Sequence, residues 1–372
     1  LMRILSVVTL VSPDGAFGGP LRVALNQATA LRELGHDVTL AAGGRGFDEP
    51  PTELDGVPVR LFPARTVVPG IGFAGLSSPG LLRWLRTAVR QTDLVHVHVA
   101  RDLVTLPAAA LARRAGVPYF LQPHGMIDPS ANRLAGPLDA ALTRPLLRGA
   151  AGVFHLTEIE RRQLTEVAGE LAFHPLANGV PEATSGEPAD PPEVLFLARL
   201  APRKRPLAFV EAARLVHARH PDATFALVGP DEGEAAAVRR AVAEAVAAGV
   251  PIRYEGALAP GATLDRLRRA SIHVLPSVDE PFGMSVVEAL SVARPVVVTD
   301  SCGLAGFVAE HDAGIVADAG VASLADAISR LVADPSAAAA RGRRGQAAVR
   351  SEFSQARIAA QLAAHYRRAI GA

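Results

Sequence analysis

The chain has 372 residues, of which 49% are hydrophobic and 20% charged, with a formal net charge of +1. This length predicts two domains, and the composition is typical of a folded globular protein. The balanced charge argues against a nucleic-acid-binding protein, and the single cysteine, Cys302, excludes a disulfide framework and a cysteine-based zinc site.

The first half of the chain alternates short apolar runs with longer helical patterns. Strands are expected near 2–9, 37–41, 58–62, 94–97, 118–122, 152–155 and 172–176, and helices near 20–34, 101–115 and 157–168. Such alternation is typical of parallel sheets covered on both faces. The run LMRILSVVTL predicts a first strand and not a signal peptide. No apolar run reaches the length of a membrane span, so a cytoplasmic protein is expected.

The uncharged segment 66–82, TVVPGIGFAGLSSPGLL, interrupts this alternation. Its glycines and prolines predict a mobile loop instead of a helix. A contact with a hydrophobic acceptor and a peripheral contact with a membrane surface are two functions that it leaves open.

Residues 182–193, EATSGEPADPPE, predict a linker between two domains, because they are rich in proline and acidic residues. After this linker the alternation resumes. Strands are expected near 193–198, 223–228, 251–254, 272–275 and 295–299, and helices near 205–219, 233–248, 285–293, 321–333, 336–350 and 354–369. We therefore expect two doubly wound halves, with ligands bound beyond the carboxyl ends of their strands.

The segment EPFGMSVVE carries the clearest chemical signal, with Glu280 and Glu288 on either side of a glycine and an expected helix start. A helix start presents unpaired N–H groups that favour an anionic ligand, and ionised carboxylates accept hydrogen bonds from sugar hydroxyls. Ser285 and Glu288 are also spaced as a capping box, in which Glu288 only closes the helix end. The segment alone leaves both interpretations open.

Two cations follow the strand expected near 193–198. Arg199 and Lys204 lie at its carboxyl end, beside a helix start, where two positive charges can clamp a diphosphate. Lys204 is the only lysine in the chain, and an ammonium and a guanidinium are not equivalent at a phosphate site. A solvated basic turn is the alternative.

Other motifs of the first half carry weaker signals. The glycine-rich segment SPDGAFGGP at 12–20 lets the backbone approach a phosphate, but it is neither G-x-G-x-x-G nor a P-loop. His124 ends a strand within PHG, and a buried structural histidine is the alternative there. His96 and His98 share one face of a strand without further ligands, and no DxD or H-x-x-x-H pattern supports a metal site.

These motifs occur together in the order of a known family, and the chain resembles the family 4 retaining glycosyltransferases over nearly its whole length. The resemblance rests on GAFGGP, PHG, NGV at 178–180, RLxxxK at 199–204, LVG at 227–229 and EPFGMSVVEA. It implies the α/β GT-B fold, with two Rossmann-like, doubly wound parallel-sheet domains facing across a cleft. Residues 1–181 would form the acceptor-side domain, joined by the last helix at 354–372, and residues 182–353 the donor domain.

The resemblance also implies roles for individual residues in binding the donor. Arg199 and Lys204 would bind the diphosphate and stabilise the leaving group, while Glu280 would contact the sugar and Glu288 the ribose. The remaining implied contacts are the backbone of Gly283, Met284 and Ser285, the backbone of Gly18 and Gly19, and the ring of His124 near the donor sugar. The implied catalytic residues are His124, Arg199, Lys204 and Glu280.

The implied activity is metal-independent transfer of a hexose-type sugar, with retention, from a UDP- or GDP-sugar to a hydroxyl acceptor. Neither a cofactor nor a nucleic acid is expected as a partner, and the acceptor would be a glycan, a lipid-linked sugar or a small molecule. A sugar-nucleotide epimerase and a non-catalytic nucleotide-sugar binder are the alternatives. The segment DSCGLAGFVAE at 300–310 lacks the glutamate that family members often carry there, so no donor contact is assigned to it.

Overall fold

The computed structural model describes residues 1–13, 18–70, 72–129, 135–259 and 261–371. Contacts between residues divide the chain into two compact units. Unit 1 comprises Leu1–Gly179 and Gln355–Ala372, and unit 2 comprises Val180–Ser354. Each unit has a hydrophobic core of its own.

The strands and helices follow one another along both units. The strands are β1 Arg3–Val11, β2 Asp37–Gly44, β3 Glu53–Leu54, β4 Val57–Pro63, β5 Arg65–Thr66, β6 Leu76–Ser77, β7 Leu94–Val97, β8 Tyr119–Leu121, β9 Gly152–His155, β10 Phe173–Pro175, β11 Glu193–Leu197, β12 Thr224–Val228, β13 Ile252–Tyr254, β14 Ile272–Leu275, β15 Val296–Thr299 and β16 Gly314–Ala317. The helices are α1 Gly18–Glu33, α2 Pro79–Ala88, α3 Thr105–Ala115, α4 Ala135–Leu138, α5 Arg144–Gly149, α6 Glu158–Ala168, α7 Pro206–His217, α8 Ala235–Ala247, α9 Thr263–Arg269, α10 Met284–Ser291, α11 Ala305–Glu310, α12 Val321–Ala333, α13 Pro335–Glu352 and α14 Gln355–Ile370.

The large sheet of unit 1 has the strand order β10-β9-β8-β7-β1-β2-β4-β3. Its neighbouring strands pair in parallel, except that β3 is antiparallel to β4. The strands β1 and β7 are buried along nearly their whole length, which explains why their sequences are mostly apolar and do not alternate regularly between apolar and polar residues. Helix α14 belongs to this unit and packs against α1.

The sheet of unit 2 has the strand order β13-β12-β11-β14-β15-β16, and all of its pairs are parallel. Helices α7, α8 and α12 share one core with this sheet, and α10 packs against α9 and α13. A doubly wound parallel sheet in each unit confirms the predicted α/β fold class.

The strands and helices expected from the sequence are present, with boundaries that differ by a few residues. The structure adds elements that the sequence patterns did not indicate, namely β3, β5, β6, β16, α2, α4, α5, α9 and α11. Most of these are too short to show a helical or strand period. Among the helices of the described residues, none combines the length and the apolar character needed to cross a membrane.

The prediction of a loop over 66–82 is wrong for part of that segment. Strands β5 and β6 pair as a short antiparallel hairpin, and α2 begins at Pro79. Helix α2 buries Leu81, Leu85 and Ala88, which follow helical spacing. Two of these three residues lie after residue 82, so the segment 66–82 by itself does not show the helical spacing.

The helix expected over 101–115 begins at Thr105 instead. The carboxylate of Asp102 accepts hydrogen bonds from the backbone N–H groups of Val104 at 2.8 Å and Thr105 at 2.6 Å. Such local bonds from an aspartate compete with helical hydrogen bonding, so the residues before Thr105 form a turn.

Packing at Gly342 generates a test of stability. Gly342 lies within α13, where a β-carbon would come within 2.1 Å of the carbonyl oxygen of Ala293. Gly342→Ala should therefore destabilise the protein by about 1–3 kcal/mol, because a backbone atom cannot move aside as a flexible side chain can. The measurement is the free energy of unfolding in denaturant.

The matched control is Gly306→Ala in α11, where a β-carbon would meet nothing within 4 Å. This variant should be neutral, or more stable by up to about 1 kcal/mol, because alanine favours helix more than glycine does. Equal unfolding free energies for the two variants would contradict the close approach at Gly342.

Candidate functional site

The strand order of unit 2 reverses between β11 and β14. In doubly wound sheets, ligands bind beyond the carboxyl ends of the strands at such a switch point. The segments that leave these two strands are 198–205 and 276–283, and they carry Arg199, Lys204 and Glu280. Topology therefore brings three of the predicted site residues to one end of one sheet.

Lys204 and Glu280 form a buried ion pair at this switch point. Lys204 ends the short 3-10 turn Pro202–Lys204, and its ammonium donates a hydrogen bond to a carboxylate oxygen of Glu280. Only 9% of Lys204 and 6% of Glu280 is exposed. Burial lowers the pKa of Lys204, and the carboxylate of Glu280 opposes that shift. The site thus contains one positive and one negative charge that compensate each other.

Backbone hydrogen bonds hold the loops around this pair. The N–H of Val278 donates to the carbonyl oxygen of Arg203 at 3.1 Å, which joins the loop after β14 to the turn after β11. The guanidinium of Arg203 donates to the carbonyl oxygen of Asp279 at 3.0 Å. The N–H of Gly303 donates to the carbonyl oxygen of Glu280 at 2.8 Å. The positions of Lys204 and Glu280 are therefore set by the backbone as well as by their own contact.

Arg199 also follows β11, but its environment differs from that of Lys204. Its side chain is about half exposed and lies 2.5 Å from a carboxylate oxygen of Glu232. The sequence predicts that Arg199 and Lys204 act together on a diphosphate, and the structure gives each of them a different carboxylate partner. An exposed ion pair contributes little free energy, so the pair of Arg199 with Glu232 is the easier one to open.

Helix α10 begins at Met284, and Gly283 is its N-cap residue, in the left-handed conformation with φ 80°. A capping box of Ser285 and Glu288 needs Ser285 at the N-cap, so this alternative interpretation is wrong. Ser285 lies inside the helix, and its hydroxyl bonds to His273 at 3.1 Å. Glycine has no side chain that could accept from the N–H groups of the first turn, so the N-cap does not use these donors.

Glu288 lies in the same helix, about one turn beyond Ser285, and is buried. Glu280 precedes the helix and is buried as well. The two carboxylates of EPFGMSVVE are therefore both withdrawn from solvent on either side of the first turn of α10. An ionised carboxylate accepts several hydrogen bonds, so hydroxyl groups of a ligand can donate to it beside its other partners.

The sheet of unit 1 reverses its order between β1 and β7, and two histidines follow β7 and β8 there. Nδ1 of His98 and Nε2 of His124 lie 2.8 Å apart. Burial lowers the pKa of His98 and lowers that of His124 to about 3. Both rings are therefore neutral at neutral pH and share one hydrogen between these nitrogens. Within the described part of the chain, no group of three or more His, Cys, Asp or Glu residues is arranged to hold a metal ion.

A buried glutamate holds the loop that carries His124. Glu160 accepts hydrogen bonds from the backbone N–H groups of Gly125 at 2.5 Å and Leu156 at 2.6 Å. The first of these bonds anchors the residue next to His124, whose own φ is 54°. Sequence reasoning missed Glu160, although its spacing from Thr157, T-x-x-E, is a helix-start pattern, and the N–H of Glu160 does bond to the Thr157 hydroxyl at 3.2 Å.

Asp102 and His273 are two further buried polar residues that sequence reasoning missed. The carboxylate of Asp102 accepts from the hydroxyl of Thr9 at 2.6 Å, and burial raises the pKa of that carboxyl group. His273 interrupts the apolar strand β14. A polar residue inside an apolar run was the available signal for His273, because a buried polar group needs a partner.

Gly18 and Gly19 are the first two residues of α1. Residues 14–17 of the same glycine-rich segment lie outside the described residues. A β-carbon on Gly19 would meet nothing within 4 Å, so local packing does not require glycine there. The approach of a ligand to these two glycines stays a prediction.

Two protein-family models match this chain. The model of the glycosyl transferases group 1 matches residues 182–348, which lie in unit 2. The model of the glycosyl transferase 4-like domain matches residues 18–179, which lie in unit 1. Together the two matches cover most of the chain.

Curated relatives and solved structures also match this chain over two thirds or more of its length. The 2-deoxystreptamine glucosyltransferase of Streptomyces kanamyceticus is 29% identical over 93% of this chain and 98% of its own. The alpha-maltose-1-phosphate synthase of Mycolicibacterium smegmatis is 30% identical over 68% of this chain and 73% of its own. The structure of Anabaena Alr3699/HepE in complex with UDP and glucose is 18% identical, covers 98% of this chain and 99% of that chain, and has a TM-score of 0.77. This likeness shows the fold, which is the predicted GT-B class.

The histidine pair of unit 1, in which His98 is buried and His124 partly buried, predicts a loss of stability at acid pH. The pKa of His124 falls from 6.5 to about 3 on folding, and that of His98 is lowered as well, so the unfolded chain binds more protons in this range. The contribution of these neutral rings to the free energy of unfolding is fully present above pH 6.5. It decreases as the pH falls below that value, by up to about 1.4 kcal/mol per pH unit for each ring.

His98→Phe removes one of these titrating rings and should make the decrease shallower. The measurement is the free energy of unfolding in urea at a series of acid pH values, for the natural chain and for the variant. An identical pH dependence in both proteins would contradict the assignment of a buried, neutral His98.

Proposed function

We propose that this chain, which belongs to the group 1 glycosyl transferases, moves a hexose-type sugar from a nucleotide-diphosphate sugar to a hydroxyl acceptor, with retention of anomeric configuration and without a metal ion. Membership in the family makes it a glycosyltransferase. The observation that carries the rest is the buried pair of Lys204 and Glu280, beside the first turn of α10 at the switch point of unit 2.

The polar groups around this pair match the two parts of a nucleotide sugar. The ammonium of Lys204 and the N–H groups of Met284 and Ser285 donate hydrogen bonds and favour negative charge, which suits a diphosphate. The carboxylates of Glu280 and Glu288 accept hydrogen bonds, which suits the hydroxyls of the sugar and the ribose. An ammonium has three N–H donors, so Lys204 can bind a phosphate oxygen without releasing Glu280.

In the proposed reaction, the bond between the anomeric carbon and the diphosphate oxygen breaks, and a bond to the acceptor oxygen forms. The acceptor proton passes to a phosphate oxygen of the leaving group, so the reaction needs no base from the protein. Negative charge develops on the departing diphosphate, where Lys204 and the first turn of α10 stabilise it. Arg199 adds a second positive charge when it leaves Glu232. Attack from the face that the diphosphate leaves retains the configuration.

His124 of unit 1 is proposed to contact the donor sugar. Its ring is neutral, because burial lowers its pKa to about 3. A neutral imidazole exchanges hydrogen bonds with hydroxyl groups without attracting the diphosphate by its charge. This property supports a role in orienting the sugar and not in binding the phosphates.

The names of similar proteins guide the choice of substrates to test. One relative is a 2-deoxystreptamine glucosyltransferase, and one protein of the same fold forms a complex with UDP and glucose. We therefore propose UDP-glucose as the first donor, with GDP-glucose as the alternative. The first acceptors are a small polyhydroxylated aminocyclitol and a glucan.

Lys204→Gln tests the proposed role in stabilising the leaving group. Glutamine still donates a hydrogen bond to Glu280 but carries no charge, so kcat/KM for sugar transfer should fall by about 100-fold or more. The measurement is turnover of labelled donor, together with thermal denaturation to show that the variant is folded.

The matched control for this variant is Arg219→Ala. Arg219 pairs with Asp326 on the surface of unit 2, and both side chains are about half exposed. An exposed pair contributes little, so transfer should stay within about twofold of the natural chain. Full activity of a folded Lys204→Gln protein would refute the role of Lys204.

The donor, the stereochemical course and the metal requirement are tested in one reaction. The chain, UDP-glucose or GDP-glucose, and each acceptor are incubated with EDTA, and the product is followed by proton NMR. Transfer should proceed in EDTA, and the product should keep the anomeric configuration of the donor. Inverted product would overturn retention, activity that returns only with a divalent cation would overturn metal independence, and epimerised donor without transfer would favour an epimerase.

A further inference from the structure

We infer that His273 is a positioning residue of the donor site, which holds the hydroxyl of Ser285 so that it accepts a hydrogen bond from the ligand and does not donate one. The inference rests on the proposed function, because Ser285 lies in the first turn of α10. It assigns the ligand group that meets this hydroxyl: a sugar or ribose hydroxyl, and not a phosphate oxygen.

Both ring nitrogens of His273 have partners in unit 2. Nδ1 lies 3.2 Å from the carbonyl oxygen of Leu195 in β11, and Nε2 lies 3.1 Å from the hydroxyl oxygen of Ser285. The side chain is completely buried, with 0% exposure. The ring therefore links the central strand β11 to the first turn of α10 through β14.

The positions of the hydrogens between Leu195, His273 and Ser285 follow from which atoms can donate and which can only accept. A carbonyl oxygen only accepts hydrogen bonds, so Nδ1 of His273 carries a hydrogen and donates it to Leu195. Burial lowers the pKa of the ring to about 4, so at neutral pH the ring has no second hydrogen. Nε2 is therefore an acceptor, and the hydroxyl of Ser285 must donate to it.

This donation decides what Ser285 offers to a ligand. A hydroxyl has a single hydrogen, and that of Ser285 is used in the hydrogen bond to His273. Only the lone pairs of the Ser285 oxygen are left for other partners. An ionised phosphate oxygen is also an acceptor and cannot bond there. The first turn of α10 thus separates its functions: backbone N–H groups bind phosphate oxygens, and the Ser285 hydroxyl accepts from ligand hydroxyls.

A double-mutant cycle tests whether His273 acts through Ser285. The variants are Ser285→Ala, His273→Phe and the double variant, and the measurement is the dissociation constant of UDP-glucose or GDP-glucose by calorimetry. Each single variant should weaken binding by about three- to tenfold, the range expected for one hydrogen bond. The double variant should bind no more weakly than Ser285→Ala alone, because His273 affects the ligand only through the hydroxyl of Ser285.

Inorganic pyrophosphate is the probe that separates hydroxyl contacts from phosphate contacts. It has no hydroxyl of the sugar kind, so its affinity, measured by competition with the donor, should stay within about twofold in all three variants. His273→Gln is the conservative variant. A glutamine amide can donate to Leu195 and accept from Ser285, so donor affinity should recover at least in part. The inference would be overturned if the losses of donor-binding free energy in the two single variants added up in the double variant. It would also be overturned if the variants bound pyrophosphate as much more weakly as they bind the donor. Either result would indicate a purely structural histidine.

Nitrogen-15 NMR of the natural chain provides a measurement that does not depend on activity. The ring of His273 should be neutral, with its hydrogen on Nδ1, and Ser285→Ala should change the shift of Nε2 and leave the hydrogen on Nδ1. A hydrogen on Nε2 would overturn the inference. If the chain binds no nucleotide sugar, the proposed function fails, and the NMR result still decides whether His273 holds the hydroxyl of Ser285.

Discussion

The contact between Lys204 and Glu280 is the interaction on which the candidate site depends. Both groups are buried, and removal of two charges from water is tolerated only when each charge has a close partner. The pair also joins the turn after β11 to the loop after β14, which backbone bonds from Val278 and Gly303 hold in place. A positive charge that is already desolvated and fixed needs little reorganisation to stabilise an anion, which supports the proposed contact of Lys204 with a diphosphate.

The two units present different chemistry at the corresponding ends of their sheets. In unit 2 the switch point carries opposite charges beside a helix start. In unit 1 it carries neutral imidazoles, and the buried carboxylates of Asp102 and Glu160 are used to hold backbone N–H groups and the hydroxyl of Thr9. The pair of Lys204 and Glu280 therefore supports the proposed phosphate contact in unit 2, and the neutral ring of His124 supports the proposed hydroxyl contact in unit 1.

Sequence patterns predicted most strands and helices, because parallel strands buried on both faces appear as continuous apolar runs. They failed where the segment under consideration ended before a helical period could be seen, and where a side chain bonded to the backbone in place of a helical hydrogen bond. The spacing of Leu81, Leu85 and Ala88 extends past the glycine-rich segment, and Asp102 delays the start of α3 through its own bonds to the backbone. The capping-box spacing of Ser285 and Glu288 was misleading, because Gly283 is the N-cap and the Ser285 hydroxyl bonds to His273 in β14.

The sequence by itself determined the fold class, and it predicted the segments of the candidate site and the residue types that they offer to a nucleotide sugar, because these depend on local patterns and on motif order. Tertiary structure decided which groups meet. It placed Lys204 against Glu280, 76 positions apart, and His273 against Ser285. It also buried His98 in unit 1 and His273 in unit 2. Hydrogen-bond roles and the pKa values of buried groups depend on neighbours distant in the chain, and only the folded sheets bring those neighbours together.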